Sequence, residues 1–271
     1  MPTTVRSPHL AVEDFHPGDE RFHRGDQPDR RRAPGRRRLR RLVKVLIALV
    51  VVVAGLLFAA WYFVLKTDPA PRAEIKDTPT VAASAAALDG TYTVAPGNTS
   101  NFVGYRVTEQ FVGAILNNTA TGRTDDVTGT MVISGTKVSN VTVTADLRSL
   151  VSDNSGRDHV IHNLGLESNR FPKAKFVATR PITLAGVPAV GENITTQATG
   201  KFTLHGVTKS VVIPLVGRWD GKRVQVVGTL PIVFGDYHIG APTVGPVASI
   251  DDHAEMEFQL FFEKPTSNAV R

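Results

Sequence analysis

Residues 255–262 read Glu255-Met256-Glu257-Phe258-Gln259-Leu260-Phe261-Phe262. Met256, Phe258, Leu260 and Phe262 alternate with Glu255, Glu257 and Gln259, a period of two residues. In an extended chain that period sends successive side chains to opposite faces, so one face is apolar. One apolar face is the mark of an antiparallel sheet laid over a core or a cavity. The same period recurs upstream. Val141, Val143, Ala145 and Leu147 alternate with Thr142, Thr144 and Asp146. Val127, Gly129, Met131 and Ile133 share one phase, as do Val103, Tyr105 and Val107. Turn signals at Asp125-Asp126, Ser134-Gly135, Asp220-Gly221 and Gly235-Asp236 punctuate the runs. About eight strands fit between Asp89-Gly90 and Lys264, a number that suits a sandwich or a closed barrel.

One segment breaks the alternation. In Ser152–Pro172, Val160, Ile161, Leu164 and Leu166 fall at helical spacings. This predicts a short helix from Arg157 to about Leu166, ended near Phe171-Pro172, that lies as a lid across an opening of the barrel.

Upstream of the strands, Val45–Leu65 runs 21 residues without a charged side chain. As a helix it is about 31 Å long, the thickness of a bilayer's hydrocarbon core. Arg30, Arg31, Arg32, Arg36, Arg37, Arg38, Arg40, Arg41 and Lys44 precede it, whereas Lys66, Asp68, Arg72 and Glu74 follow. The positive-inside rule then keeps the N-terminus cytoplasmic, with Trp61 and Tyr62 near the far interface. A cleaved signal peptide has a shorter apolar core closely followed by small residues. Here Ala85-Ala86-Ala87 lies far downstream, which favours an uncleaved signal anchor. The expected organisation is a disordered basic arm over 1–41, a transmembrane anchor over 42–66 and a Pro/Ala-rich linker over 67–89. A β domain over 90–264 and a tail over 265–271 complete it.

The formal charge of +6 belongs to the arm. Residues 1–44 hold 12 basic and 6 acidic groups, whereas residues 90–271 hold 16 and 15. A nucleic-acid-binding face would need concentrated positive charge on the domain, so no nucleic-acid partner is expected. The chain has no cysteine, which excludes disulfides, thiolate metal sites and a cysteine nucleophile.

Few residues invite chemistry. His9, His16 and His23 recur every seven residues in a segment with no other ligands. His159 and His162 sit one helical turn apart beside Asp158, but a metal site needs three or four ligands. His205, His238 and His253 each stand in a separate segment. Asp251-Asp252-His253 pairs carboxylates with an imidazole, yet neighbours on a strand face opposite ways, and a turn before the last strand accounts for them. There is no Gly-x-Ser-x-Gly elbow and no phosphate-cradling glycine loop. No catalytic residue, metal or cofactor is expected. Arg157-Asp158 fits either an ion pair closing the lid or a contact to a polar headgroup at the barrel mouth. The Asn-x-Ser/Thr triplets at Asn98, Asn117, Asn140 and Asn193 arise cheaply in threonine-rich strands.

RDHVIHNLGL (Arg157–Leu166), FPKAKF (Phe171–Phe176), GKFTLHGVTKSVVIPL (Gly200–Leu215) and the Gly228–Gly235 segment together resemble the YceI-like domain family over most of residues 90–264. The resemblance implies an eight-stranded antiparallel barrel of extended lipocalin type that holds a polyisoprenoid or other long-chain amphiphile in its apolar interior. Many members carry a histidine shortly after the first strand's F-x-V, where this chain has Tyr105-Arg106-Val107-Thr108-Glu109, so that contact does not carry over. The expected lining is Phe102, Tyr105, Phe111, Phe176, Phe202, Phe234, Phe258 and Phe262, with Arg157 and Asp158 at the lid or headgroup. The expected protein is a single-pass, non-enzymatic lipid binder of the bacterial plasma membrane, its barrel outside, that stores or transports its ligand. A homodimer stays open. The rivals are an enzyme using Asp158, His159 or Asp252, and a structural domain whose aromatic side chains fill a solid core.

Overall fold

The computed structural model describes residues 35–65, 69–111, 117–243 and 247–265. The chain divides between Ala60 and Trp61 into two compact units. The first is dominated by helix α1 (Gly35–Leu65), which runs five residues past the division. Its Arg38–Ala59 window has a mean hydropathy of 2.9 and buries nothing within the protein, so it is long and apolar enough to cross a bilayer. The helix begins at Gly35, inside the arm expected to be disordered, because arginine is a good helix former and extends a helix already nucleated. The rest of the arm, with His9, His16 and His23, lies outside the described residues, as does all of the tail beyond residue 265.

The second unit is built from thirteen strands: β1 (Gly90–Val94), β2 (Phe102–Phe111), β3 (Asn117–Thr124), β4 (Val127–Ser134), β5 (Lys137–Asp146), β6 (Val151–Ser152), β7 (Lys173–Ala178), β8 (Ile182–Thr183), β9 (Asn193–Leu204), β10 (Val207–Trp219), β11 (Val224–Val233), β12 (Val247–Ile250) and β13 (His253–Glu263). Eight of them close a ring in the order β1-β4-β5-β7-β9-β10-β11-β13, and Thr93↔Glu263 and Val94↔Phe262 join its ends. This is the expected eight-stranded antiparallel barrel. β2 pairs with the first half of β13, from Glu255↔Arg106 to Gln259↔Phe102, and carries β3, β6 and β12 as a wing. A two-residue turn, His205-Gly206, joins β9 to β10 with φ of 48° and 76°, the double left-handed geometry that suits the twist of paired strands.

Two glycines make room inside. A Cβ on Gly200 would lie 2.5 Å from the Phe176 ring, and one on Gly228 would lie 2.7 Å from the Phe258 ring. Both rings therefore lie flat against the wall. One end of the barrel is stoppered by Leu88, Tyr92, Trp219 and Leu260, each at most 2% exposed. The Tyr92 hydroxyl donates to the Leu88 carbonyl at 2.8 Å. The other end carries the lid, α2 (Ser155–Val160), which continues as a π-turn through Ile161–Gly165. The lid starts two residues before the expected Arg157 because Asn154 caps it, its side chain accepting from the Gly156 and Arg157 amides.

The Pro/Ala-rich stretch departs from the expected linker. Residues 69–81 form a strap along the outer face of β2, β3, β11 and β13. Glu257 and Gln259 sit on that outer face, yet they are 0% and 2% exposed. The strap covers them. The Ala73 amide donates to Glu257 at 3.2 Å, the Glu74 amide to Gln259 at 3.4 Å and the Lys76 amide to Gln225 at 3.0 Å. The Gln225 amide returns a bond to the Glu74 carbonyl at 2.9 Å. Arg106 and Arg123 flank the Glu257 carboxylate at 3.3 and 2.9 Å, which offsets the cost of burying its charge. They also donate to the Ala70 and Pro71 carbonyls.

Candidate functional site

The inward phase of the strands encloses space. Two adjoining chambers occupy the barrel. The first, about 140 Å³, lies toward the stoppered end among Leu88, Ile133, Phe176, Trp219, Leu260 and Phe262. The second, about 420 Å³, lies under the lid among Val107, Leu150, Ile161, Leu166, Ile232 and Phe234. Val103, Ala174, Phe202 and Met256 border both. The larger chamber alone is within the usual size range of small-molecule sites, roughly 300–1,000 Å³.

Against the apolar lining of the larger chamber stand Tyr105, Glu109 and Arg157 at the lid end, whereas Thr196 and Arg218, the latter paired with Asp77 at 2.8 Å, border the smaller one. Glu109 is 4% exposed and occupies the same inward phase as Val103, Tyr105 and Val107. Arg157 of α2 meets it in a two-pronged pair, Nε to Oε1 at 3.1 Å and Nη2 to Oε2 at 3.2 Å. Arg157 also donates to Asp153 at 2.5 Å. Burial opposes the guanidinium charge, but the hydrogen bonds and charge of Glu109 hold its pKa above the ordinary arginine value. The pair thus ties the lid to β2. The Tyr105 hydroxyl is buried with no hydrogen-bond partner. Burial pushes its pKa well above the usual phenol range, with the Arg157 charge drawing it part of the way back. It stays a neutral hydroxyl beside the charges of Arg157, Glu109, Asp153 and Asp158.

The structure brings Tyr105, Phe176, Phe202, Phe234, Phe258, Phe262 and Arg157 to the chambers. It does not bring Phe102 or Asp158. Phe102 has the opposite phase to Val103 and lies on the outer face, with the Arg123 guanidinium 3.7 Å from its ring centre. The Asp158 carboxylate accepts from the Ser152 amide at 2.8 Å and hydroxyl at 2.6 Å, so it braces the start of the lid. The side chain of Phe111 lies outside what the structure describes. Glu109 escaped the sequence reading, although an acidic residue continuing the 103-105-107 apolar phase was a visible signal.

The histidines are arranged structurally. His162 uses both ring nitrogens, on Ser168 at 2.6 Å and the Leu150 carbonyl at 2.8 Å. His159 is exposed and contacts Asn163. His205 meets the Tyr237 carbonyl at 3.0 Å, and His253 pairs with Asp252 in the turn before β13. Among the described residues no group of three or more metal-ligating side chains comes together.

Fold and interior together define a lidded, hollow β-barrel of lipocalin type. The YceI-like domain model matches residues 92–262, and the chain belongs to that family. It is 33% identical over 140 residues to a UPF0312 protein of Pseudomonas savastanoi pv. phaseolicola, spanning 48% of this chain and 68% of the relative. A UPF0312 protein of Vibrio parahaemolyticus is 30% identical over 129 residues, spanning 45% and 61%. Among solved structures, a polyisoprenoid binding domain from Saccharophagus degradans, implicated in plant cell wall breakdown, superposes with a TM-score of 0.50 at 20% identity. That match covers 64% of this chain and 98% of the other.

Proposed function

We propose that this protein is a membrane-tethered lipid binder that holds a polyisoprenoid or similar long amphiphile in the barrel, for storage or transport at the outer face of the plasma membrane. The observation that carries the reading is the pair of adjoining apolar chambers, with Tyr105, Glu109 and Arg157 gathered at the lid end of the larger one. A slender apolar chain fits the barrel, whose eight strands leave room for one small guest. Its polar head then meets the unpartnered Tyr105 hydroxyl. Arg157 already faces two carboxylates, so the cluster has no spare positive charge, and a neutral hydrogen-bond-accepting head suits it better than a phosphate. The name of the Saccharophagus degradans domain supports the class of ligand, and the exposed apolar α1 supports the tether.

The enzymatic alternative loses its residues: Asp158 and His159 lie outside the chambers and Asp252 sits in an exposed turn. The filled-core alternative is at odds with the chambers. The test is competition in the full chain reconstituted in nanodiscs. An environment-sensitive apolar dye should brighten on binding and be displaced by a polyprenol at near-equimolar amounts. A dye that never brightens, or that a polyprenol does not displace, contradicts the reading.

A further inference from the structure

The strap has a direction. Ala70 donates to Thr121 Oγ1 at 3.0 Å and accepts from Arg106 at 2.7 Å, nearer the lid end. From there the strap runs parallel to β13, past Glu257 and Gln259, until the Val81 amide donates to the Asp220 carbonyl at 2.7 Å at the stoppered end. The order of these partners is fixed by the register of β13, and reversing the strap would unpair buried Glu257 and Gln259. The polypeptide therefore reaches the barrel from the lid side. Leu65 ends α1, and five Cα steps separate it from Ala70. At no more than about 3.6 Å per step, they reach at most about 18 Å. Leu164 of the lid is 56% exposed, Val233 at the end of β11 49% and Val151 just before the lid 60%, against 55% for Val81 and 45% for Val187 at the stoppered end. The direction of the strap and not apolar exposure therefore distinguishes the two ends.

Building on the membrane-tethered reading above, we propose that the lid end is a docking surface for the bilayer itself, so that the larger chamber opens toward lipid and not toward water. A tether this short holds the barrel at high effective concentration beside the surface, so even a weak apolar contact suffices. The amphiphile then passes between leaflet and chamber beside the lid without crossing free solution.

The chain has no cysteine, which permits single labelling. Full-length Leu164→Cys, Val151→Cys and Val187→Cys, the last at the stoppered end, are labelled with a fluorophore. Each is then reconstituted in phosphatidylcholine–phosphatidylglycerol vesicles carrying a headgroup quencher. Quenching several-fold stronger at 151 and 164 than at 187 is expected. Inserting about twenty Gly/Ser residues after Thr67, which adds about 25 Å of reach, should reduce it. Vesicle-bound protein with equal or reversed quenching overturns the docking surface and leaves the tether standing. Protein that does not float with vesicles overturns both.

Discussion

Tyr105 combines a buried hydroxyl without a partner and a position facing the larger chamber. An unpaired buried polar group costs about 1–3 kcal/mol. Lipid-free Tyr105→Phe is therefore expected to be as stable as the parent or about 1 kcal/mol more stable in denaturant unfolding, while holding amphiphile less tightly. Lower stability would contradict the unpaired state. Arg157 is the opposite case. Arg157→Ala leaves the buried Glu109 carboxylate uncompensated and should cost about 3–5 kcal/mol, whereas the double variant Arg157→Gln/Glu109→Gln should recover much of that loss. Tyr92 sets a pH dependence. Burial pushes its phenol up to about 12 from 10, so its contribution is fully present below pH 10 and is lost as pH rises toward 12. Between pH 9 and pH 11 the parent should lose about 1 kcal/mol more than Tyr92→Phe, read from unfolding midpoints. At this scale the sequence was legible where phase decides direction: Tyr105 and Phe258 point inward as their alternation requires. Phe102 departs from the expected lining because its phase, one residue from inward-facing Val103, turns its ring outward onto Arg123.

The strap is the element that composition concealed. Proline and alanine read as a linker because a strap recognised through its backbone amides and carbonyls needs no particular side chains. Its recognition lies on the far side of the sequence, at Gln225, Glu257 and Gln259, which look like ordinary polar-face residues of a strand. Gly221 tests the contact. It sits at φ of 96°, and a Cβ there would lie 1.9 Å from the Val81 carbonyl oxygen. Gly221→Ala should push the strap's end off the barrel and accelerate tryptic cleavage at Arg72 and Lys76 well before global unfolding. Unchanged cleavage would show that the strap is not held there. The lid was legible as an element, from helical spacing and the loss of alternation. Its latch was not, because Glu109 and Arg157 are brought together by the fold across 48 positions of sequence.

For the whole molecule, strand count and antiparallel alternation sufficed to anticipate a closed barrel, but not whether it is hollow. The same inward phenylalanines fill a solid core or line a cavity, depending on where the rings lie. Glycines such as Gly200 and Gly228 let two of those rings lie back against the wall, a relationship visible only once β7 and β9, or β11 and β13, are paired. Ala174 borders both chambers, and Ala174→Phe would place a ring at their junction. Mass spectrometry of the organic extract from the purified full chain tests the central claim most directly. Close to one long-chain isoprenoid per parent molecule, and far less from a folded Ala174→Phe variant, is the expected result. An extract from the parent with no such lipid would contradict it.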